Sequence, residues 1–141
     1  MADQTAKSRR RTGKSTALSV ATTFVERINA RDVEGLSELM TEDHRFIDPT
    51  GAVHVGRERM REGWSRYFAM FPDYRITVAA SFLSGARAAF FGTTRATYAP
   101  NGTRVEMHAA WFAVVRGKRV AEWRVCADNE PARAAMRQGP K

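Results

Sequence analysis

Three segments with apolar residues at three- and four-residue spacing, followed by a C-terminal half of long β-prone runs parted by short turns, predict an α+β fold. The order is ααβαββββ, with three N-terminal helices packed on an antiparallel sheet. The first helix carries Ala17, Val20, Ala21, Phe24, Val25 and Ile28 on one face, with Ser15 or Thr16 placed to cap it. Asp32 then reads as the N-cap of a shorter helix with Leu36, Leu39 and Met40 as its apolar positions. A short strand over 45–48 and a Pro-Thr-Gly turn follow. The third helix presents Met60, Trp64, Tyr67, Phe68 and Phe71, and Pro72-Asp73 ends it.

From Tyr74 onward the period changes to two. Runs over 74–83, 86–99, 103–115 and 119–127 are separated by Ser84-Gly85, Pro100-Asn101-Gly102 and Arg116-Gly117-Lys118, so they form an antiparallel meander. Residues 131–138 form a terminal helical turn, with Pro131 tolerated near its start. In the third long strand, Met107, Ala109, Trp111, Ala113 and Val115 share one face, while Ala110, Phe112 and Val114 share the other with Glu106 and His108. A sheet covered by helices on one side needs only one apolar face. The second apolar face predicts a homodimer built through the sheet.

A chain of 141 residues with 43% hydrophobic content suits one domain with a sizeable core. The formal charge is +8, but Lys7, Arg9, Arg10, Arg11 and Lys14 place about half of that excess in the first sixteen residues. Residues 1–16 are therefore expected to be a disordered basic tail, and 17–138 the folded domain. The tail's charges are not interleaved with aromatic side chains, so nucleic acid is not the expected partner. No run is apolar for long enough to be a signal peptide or to span a bilayer, which predicts a cytoplasmic protein without membrane contact. The single cysteine, Cys126, cannot form an internal disulfide and is expected to be a packed, inert thiol.

The most informative stretch is His44-Arg45-Phe46-Ile47-Asp48-Pro49-Thr50-Gly51. Asp48 closes an apolar run, where a carboxylate is a candidate proton-transfer base. The same four residues from Asp48 to Gly51 also satisfy a type I turn without any chemistry. Metal binding has little support, because His44 and His54 lack a His or Cys two or four residues away. Gly13-Lys14-Ser15-Thr16 imitates the end of a phosphate-binding loop but lacks the earlier Gly and the preceding strand. Asn101-Gly102-Thr103 reads as a β-turn.

Ile28-Asn29-Ala30-Arg31-Asp32, Phe46-Ile47-Asp48-Pro49-Thr50-Gly51, Gly56-Arg57-Glu58, Phe71-Pro72-Asp73, Gly117-Lys118 and Trp123-Arg124-Val125-Cys126-Ala127-Asp128 follow one another in an order that resembles the nuclear-transport-factor-2-like superfamily, in its ketosteroid isomerase-like and SnoaL-like branch. The resemblance covers about 17–138. It implies a curved sheet wrapped around the helices into a cone with an apolar pocket, a fold that hosts several enzyme classes and binding modules. It also implies that Asp48 is the general base, and that the pocket takes a small apolar carbonyl compound without a cofactor. The candidate contacts are Phe24, Phe46, Trp64, Arg95, Met107, Trp111 and Trp123. For that role Asp48 should have its pKa raised by burial beside Trp64 or Phe46.

The rest of the isomerase site does not carry over. Phe24 stands where those enzymes place an oxyanion-donating Tyr, and Ala109 or Ala110 where they place a protonated acid. Limonene epoxide hydrolase relatives are approached by Arg95 and by Trp123-Arg124-Val125, but Thr97 and Val125 replace their acids. For SnoaL-type cyclases the candidate pair is Asp48 with His108. The leading expectation is proton abstraction of isomerase, cyclase or lyase type. A non-catalytic ligand-binding or protein-interaction module is the first alternative and an epoxide hydrolase-like enzyme the second.

Overall fold

The structure is a computed structural model that describes residues 16–140. The elements are α1 (Ala17–Asn29), α2 (Val33–Glu38), β1 (Met40–Ile47), β2 (Val53–Val55), α3 (Arg57–Met70), β3 (Arg75–Ser84), β4 (Arg87–Tyr98), β5 (Thr103–Arg116), β6 (Arg119–Ala127) and α4 (Glu130–Gln138). All six strands form one curved, unclosed sheet in the order β2-β1-β6-β5-β4-β3. The helices pack on its concave face. The α+β fold is thus as expected, and the basic tail lies outside the described residues apart from Thr16.

Local chemistry fixes the helix starts. The Thr16 hydroxyl accepts from the Ser19 amide at 3.0 Å, and the Asp32 carboxylate accepts from the Gly35 amide at 2.9 Å. Both satisfy amides that would otherwise lack partners in a first turn. Asn29 then ties the end of α1 to the sheet, accepting from the Ile76 amide at 2.7 Å and donating to its carbonyl at 2.9 Å.

Three departures from the expected order shape the molecule. Helix α2 stops at Glu38, so Met40 opens β1 rather than closing the helix. Strand β1 pairs parallel with β6, and their ladder breaks between Met40 and Arg45. Buried His44 occupies this break and donates from Nδ1 to the Val120 carbonyl at 2.7 Å. Burial pulls its pKa down, which favours the neutral ring needed there. Lastly, Val53–Val55 forms an extra strand, β2, where the sequence suggests only turn and helix.

Two further features bear on the site. The β3–β4 ladder is bulged between Val78 and Ala80, and here Gly92 crosses so closely that a Cβ would lie 1.9 Å from the Thr77 carbonyl oxygen. Bulges of this kind bend and twist a sheet, in keeping with the curvature seen here. Helix α4 is anchored by buried Asn101, whose side-chain amide donates to the Ala135 and Gly139 carbonyls at 2.8 Å each.

The core lies where α1 meets the sheet. Trp111, Trp123, Phe24 and Phe90 are each at most 1% exposed, and the Phe24 and Trp123 rings sit 4.8 Å apart. On the convex face, Cys126 is exposed rather than packed, because alternation turns it away from Val125 and the interior. Among the described residues no helix is long and apolar enough to cross a membrane.

Candidate active site

A cavity of about 400 Å³ opens between α3 and the concave face of the sheet. Its depth follows from residue size along three strands. Ala109, facing Ala127 across the β5–β6 ladder, lines the hollow together with Met107, Val125 and Thr94. Two residues further toward α1, the inward positions become Trp111 and Trp123, which fill the space and end the cavity. On the helix side the wall is Met60, Gly63, Trp64 and Tyr67, and Tyr74 follows α3. Arg59, Arg66 and Thr50, all exposed, mark its mouth.

The polar centre is built by a hairpin. Strands β1 and β2 pair antiparallel with Phe46 opposite His54, so both side chains share one face, with ring centroids 5.9 Å apart. The connecting residues form the expected turn, with the Gly51 amide donating to the Asp48 carbonyl at 2.9 Å. That turn also consumes the carboxylate. Asp48 Oδ1 accepts from the Thr50 amide at 2.9 Å, the Thr50 hydroxyl at 2.6 Å and the Ala52 amide at 3.1 Å. Its Oδ2 lies 3.0 Å from Nε2 of His54.

The expected rise in the Asp48 pKa is not found. Burial does push it upward, but hydrogen bonds from His54 and Thr50 and from the Thr50 and Ala52 amides outweigh it, holding the carboxyl at about 2 against an ordinary 3.8. An ionised carboxylate can only accept, so Nε2 of His54 carries the proton of this bond. In the neutral ring Nδ1 then keeps its lone pair. The geometry is a carboxylate–imidazole pair, with Asp48 fixing tautomer and orientation and His54 on the cavity wall.

Because the folded pKa is depressed, the pair stabilises the protein above the unfolded pKa and loses that contribution as pH falls through the folded one. The expected result is a loss of roughly 1 to 2 kcal/mol of stability between about pH 4 and pH 2, allowing for solvent screening at a side chain that is 23% exposed. Urea unfolding across that range checks it, and Asp48→Asn should flatten this limb.

Two tyrosines complete the wall. Tyr67 and Tyr74 both line the cavity, with ring centroids 5.1 Å apart. Burial pushes Tyr67 up to about 12 and Tyr74 well above the usual phenol value, the latter also raised by neighbouring Tyr67. Both remain protonated donors at neutral pH.

The residues singled out in the sequence divide in two. Asp48, Phe46, Trp64 and Met107 are brought together on the cavity wall. Phe24, Trp111 and Trp123 are not on it; they point to the concave side but pack against α1 in the closed core. Arg95 is placed on the convex face, 66% exposed and 4.0 Å from Glu106, because β4 turns it away from inward Thr94 and Ala96. His108 is likewise exposed on that face, opposite Thr93, and does not meet Asp48. Sequence reasoning missed His54. Its signal was the alternation Val53-His54-Val55 directly after a tight turn, which a hairpin folds back onto Phe46 and Asp48.

Known proteins agree with this architecture. Solved structures with the same fold include IdmH, a candidate polyketide cyclase from Streptomyces antibioticus, at 25% identity and a TM-score of 0.74, covering 86% of this chain and 99% of that one. A candidate SnoaL-like polyketide cyclase from Shewanella denitrificans OS-217 matches at 12% identity and a TM-score of 0.76, over 86% and 97%. AclR, a candidate hydroxylase from Streptomyces galilaeus, matches at 18% and 0.73, over 88% and 97%. At such identities the last two speak to the fold alone. No curated protein matches the chain. The model of the SnoaL-like domain matches residues 21–123, which include the hairpin and most of the core and of the cavity wall, and the chain belongs to that family.

Proposed function

We propose that the cavity binds a small, mostly apolar carbonyl compound, and that the Asp48–His54 pair moves a proton within it. The observation that carries this reading is the imidazole on an apolar wall, held by a carboxylate that is itself saturated with hydrogen bonds. Asp48, held at about 2, is too weak a base for neutral pH, so its role shifts from base to positioning residue. His54 takes the proton from the carbon next to the carbonyl, and the C–H electrons pass into the enolate. The Tyr67 and Tyr74 hydroxyls donate to the enolate oxygen, and such a donor is worth about 2.7–4 kcal/mol in the transition state. Return of the proton at another carbon gives isomerisation, while attack by the enolate carbon on a second carbonyl, whose π electrons pass to its oxygen, which then takes the proton back from His54, gives cyclisation. The polyketide cyclase description of IdmH supports the latter.

Arg95 on the convex face and the absence of carboxylates at Thr97 and Val125 leave the epoxide hydrolase-like alternative without its acids. A non-catalytic binding module remains a second reading, favoured by the low Asp48 pKa. Binding itself is tested by thermal shifts against apolar ketones and lactones. A ligand at 100 times its Kd should stabilise the wild type by about 2.7 kcal/mol. Ala109→Phe, which fills the hollow, should abolish that gain while remaining folded. Equal gains in both proteins would place the ligand elsewhere.

The same proposal includes a cytoplasmic homodimer. Phe82, Phe91 and Phe112 are exposed together on the convex face, with the Phe82 and Phe91 rings 5.7 Å apart. Sedimentation should show a dimer that Phe91→Glu with Phe112→Glu converts to monomer; a wild-type monomer at high micromolar concentration would contradict it.

A further inference from the structure

We infer that the ligand of this cavity is an apolar acid, with its hydrocarbon body in the hollow and a carboxylate or phosphate held at the mouth by Arg59 and Arg66. The inference rests on the cavity being a binding site and adds the substrate class. Helix α3 carries several arginines and sorts them by face. Arg57 pairs with Glu42 at 3.8 Å, and Arg61 pairs with Glu34 and Glu58. Arg59 and Arg66 line the cavity instead, and neither has an ion-pair partner among the described residues. They stand seven residues apart, two turns along the same face, or about 10.5 Å of helix axis.

An exposed arginine alone means little, since water solvates it well. What counts here is its setting. Below the two guanidinium groups the wall includes Met60, Trp64, Met107 and Ala109, and the sole carboxylate on it among the described residues, Asp48, is already engaged by His54, Thr50 and Ala52. The mouth therefore carries a net positive charge, two guanidiniums against one carboxylate, over a mostly apolar floor. A guanidinium presents a planar fork of donors that matches a carboxylate or a phosphate in two parallel bonds. Such a rim selects an amphiphile with its anionic end outward.

The test measures binding of 2-naphthoic acid, 2-naphthyl phosphate and methyl 2-naphthoate by calorimetry at low ionic strength. The proteins are the wild type, the Arg59→Gln/Arg66→Gln double variant and, as a charge control on the convex face, Arg95→Gln. The wild type and Arg95→Gln should bind at least one acid about tenfold more tightly than the ester. The double variant should lose that preference and keep its affinity for the ester. Comparison of naphthoate with naphthyl phosphate identifies the anionic group. Equal affinity of acids and ester in the wild type, or an undiminished preference in the double variant, would overturn the inference while leaving the cavity as a binding site. Binding of none of the three compounds would overturn both. The substitutions are at exposed positions, so loss of fold does not obscure the result.

Discussion

Replacing His54 by Gln is expected to lower turnover of a carbonyl substrate by about 10²–10⁴-fold, the usual worth of a positioned general base, with little change in KM. Glutamine keeps a polar group on the hairpin but has no lone pair of suitable basicity. The variant separates two mechanisms that share the same residues. If Asp48 were the base, the glutamine amide could still donate to its carboxyl in place of the imidazole and the bonds from Thr50 and Ala52 would be unchanged, so the base would be intact and activity would survive. Steady-state kinetics of His54→Gln therefore distinguishes a positioning Asp48 from a basic one.

The second large effect concerns stability. Trp123→Ala should destabilise the protein by about 3–5 kcal/mol, because it empties a fully buried site between Phe24 and Phe90. Trp123→Phe should cost much less. It retains most of the apolar contact and removes an indole N–H that has no hydrogen-bond partner in the core. Urea unfolding of the two variants gives the comparison. A mild effect of Trp123→Ala on stability, with loss of ligand binding, would return Trp123 to the cavity wall.

Much of the fold was legible because it is local. Thr16 and Asp32 are capping residues placed ahead of periodic apolar runs, and the glycine turns bound the strands β3 to β6 within a residue or two. Strand alternation likewise set Trp111 and His108 on opposite faces of the sheet. What it could not give is which inward residues face a hollow and which face α1. That depends on the contact between α1 and the sheet, and it separates Met107 and Ala109 from Trp111 on a single strand. Arg95 was matched through a family segment rather than through its neighbours Thr94 and Ala96, whose alternation already turns it outward. His54 was lost because β2 has only three residues, too few for a periodic signal. The Asp48 turn and the Asp48 site were treated as rivals, whereas the turn is what presents His54 to the carboxylate.

The central claim is that His54, oriented by Asp48, moves a proton next to a carbonyl inside the cavity. Its most direct measurement is the exchange of the α-protons of 2-tetralone for deuterium in D₂O, followed by proton NMR, with wild type, His54→Gln and Asp48→Asn. The expected result is acceleration by the wild type, reduction to the buffer rate in His54→Gln and a partial loss in Asp48→Asn. Full acceleration by His54→Gln, with exchange abolished in Asp48→Asn, would contradict the claim and make Asp48 the base.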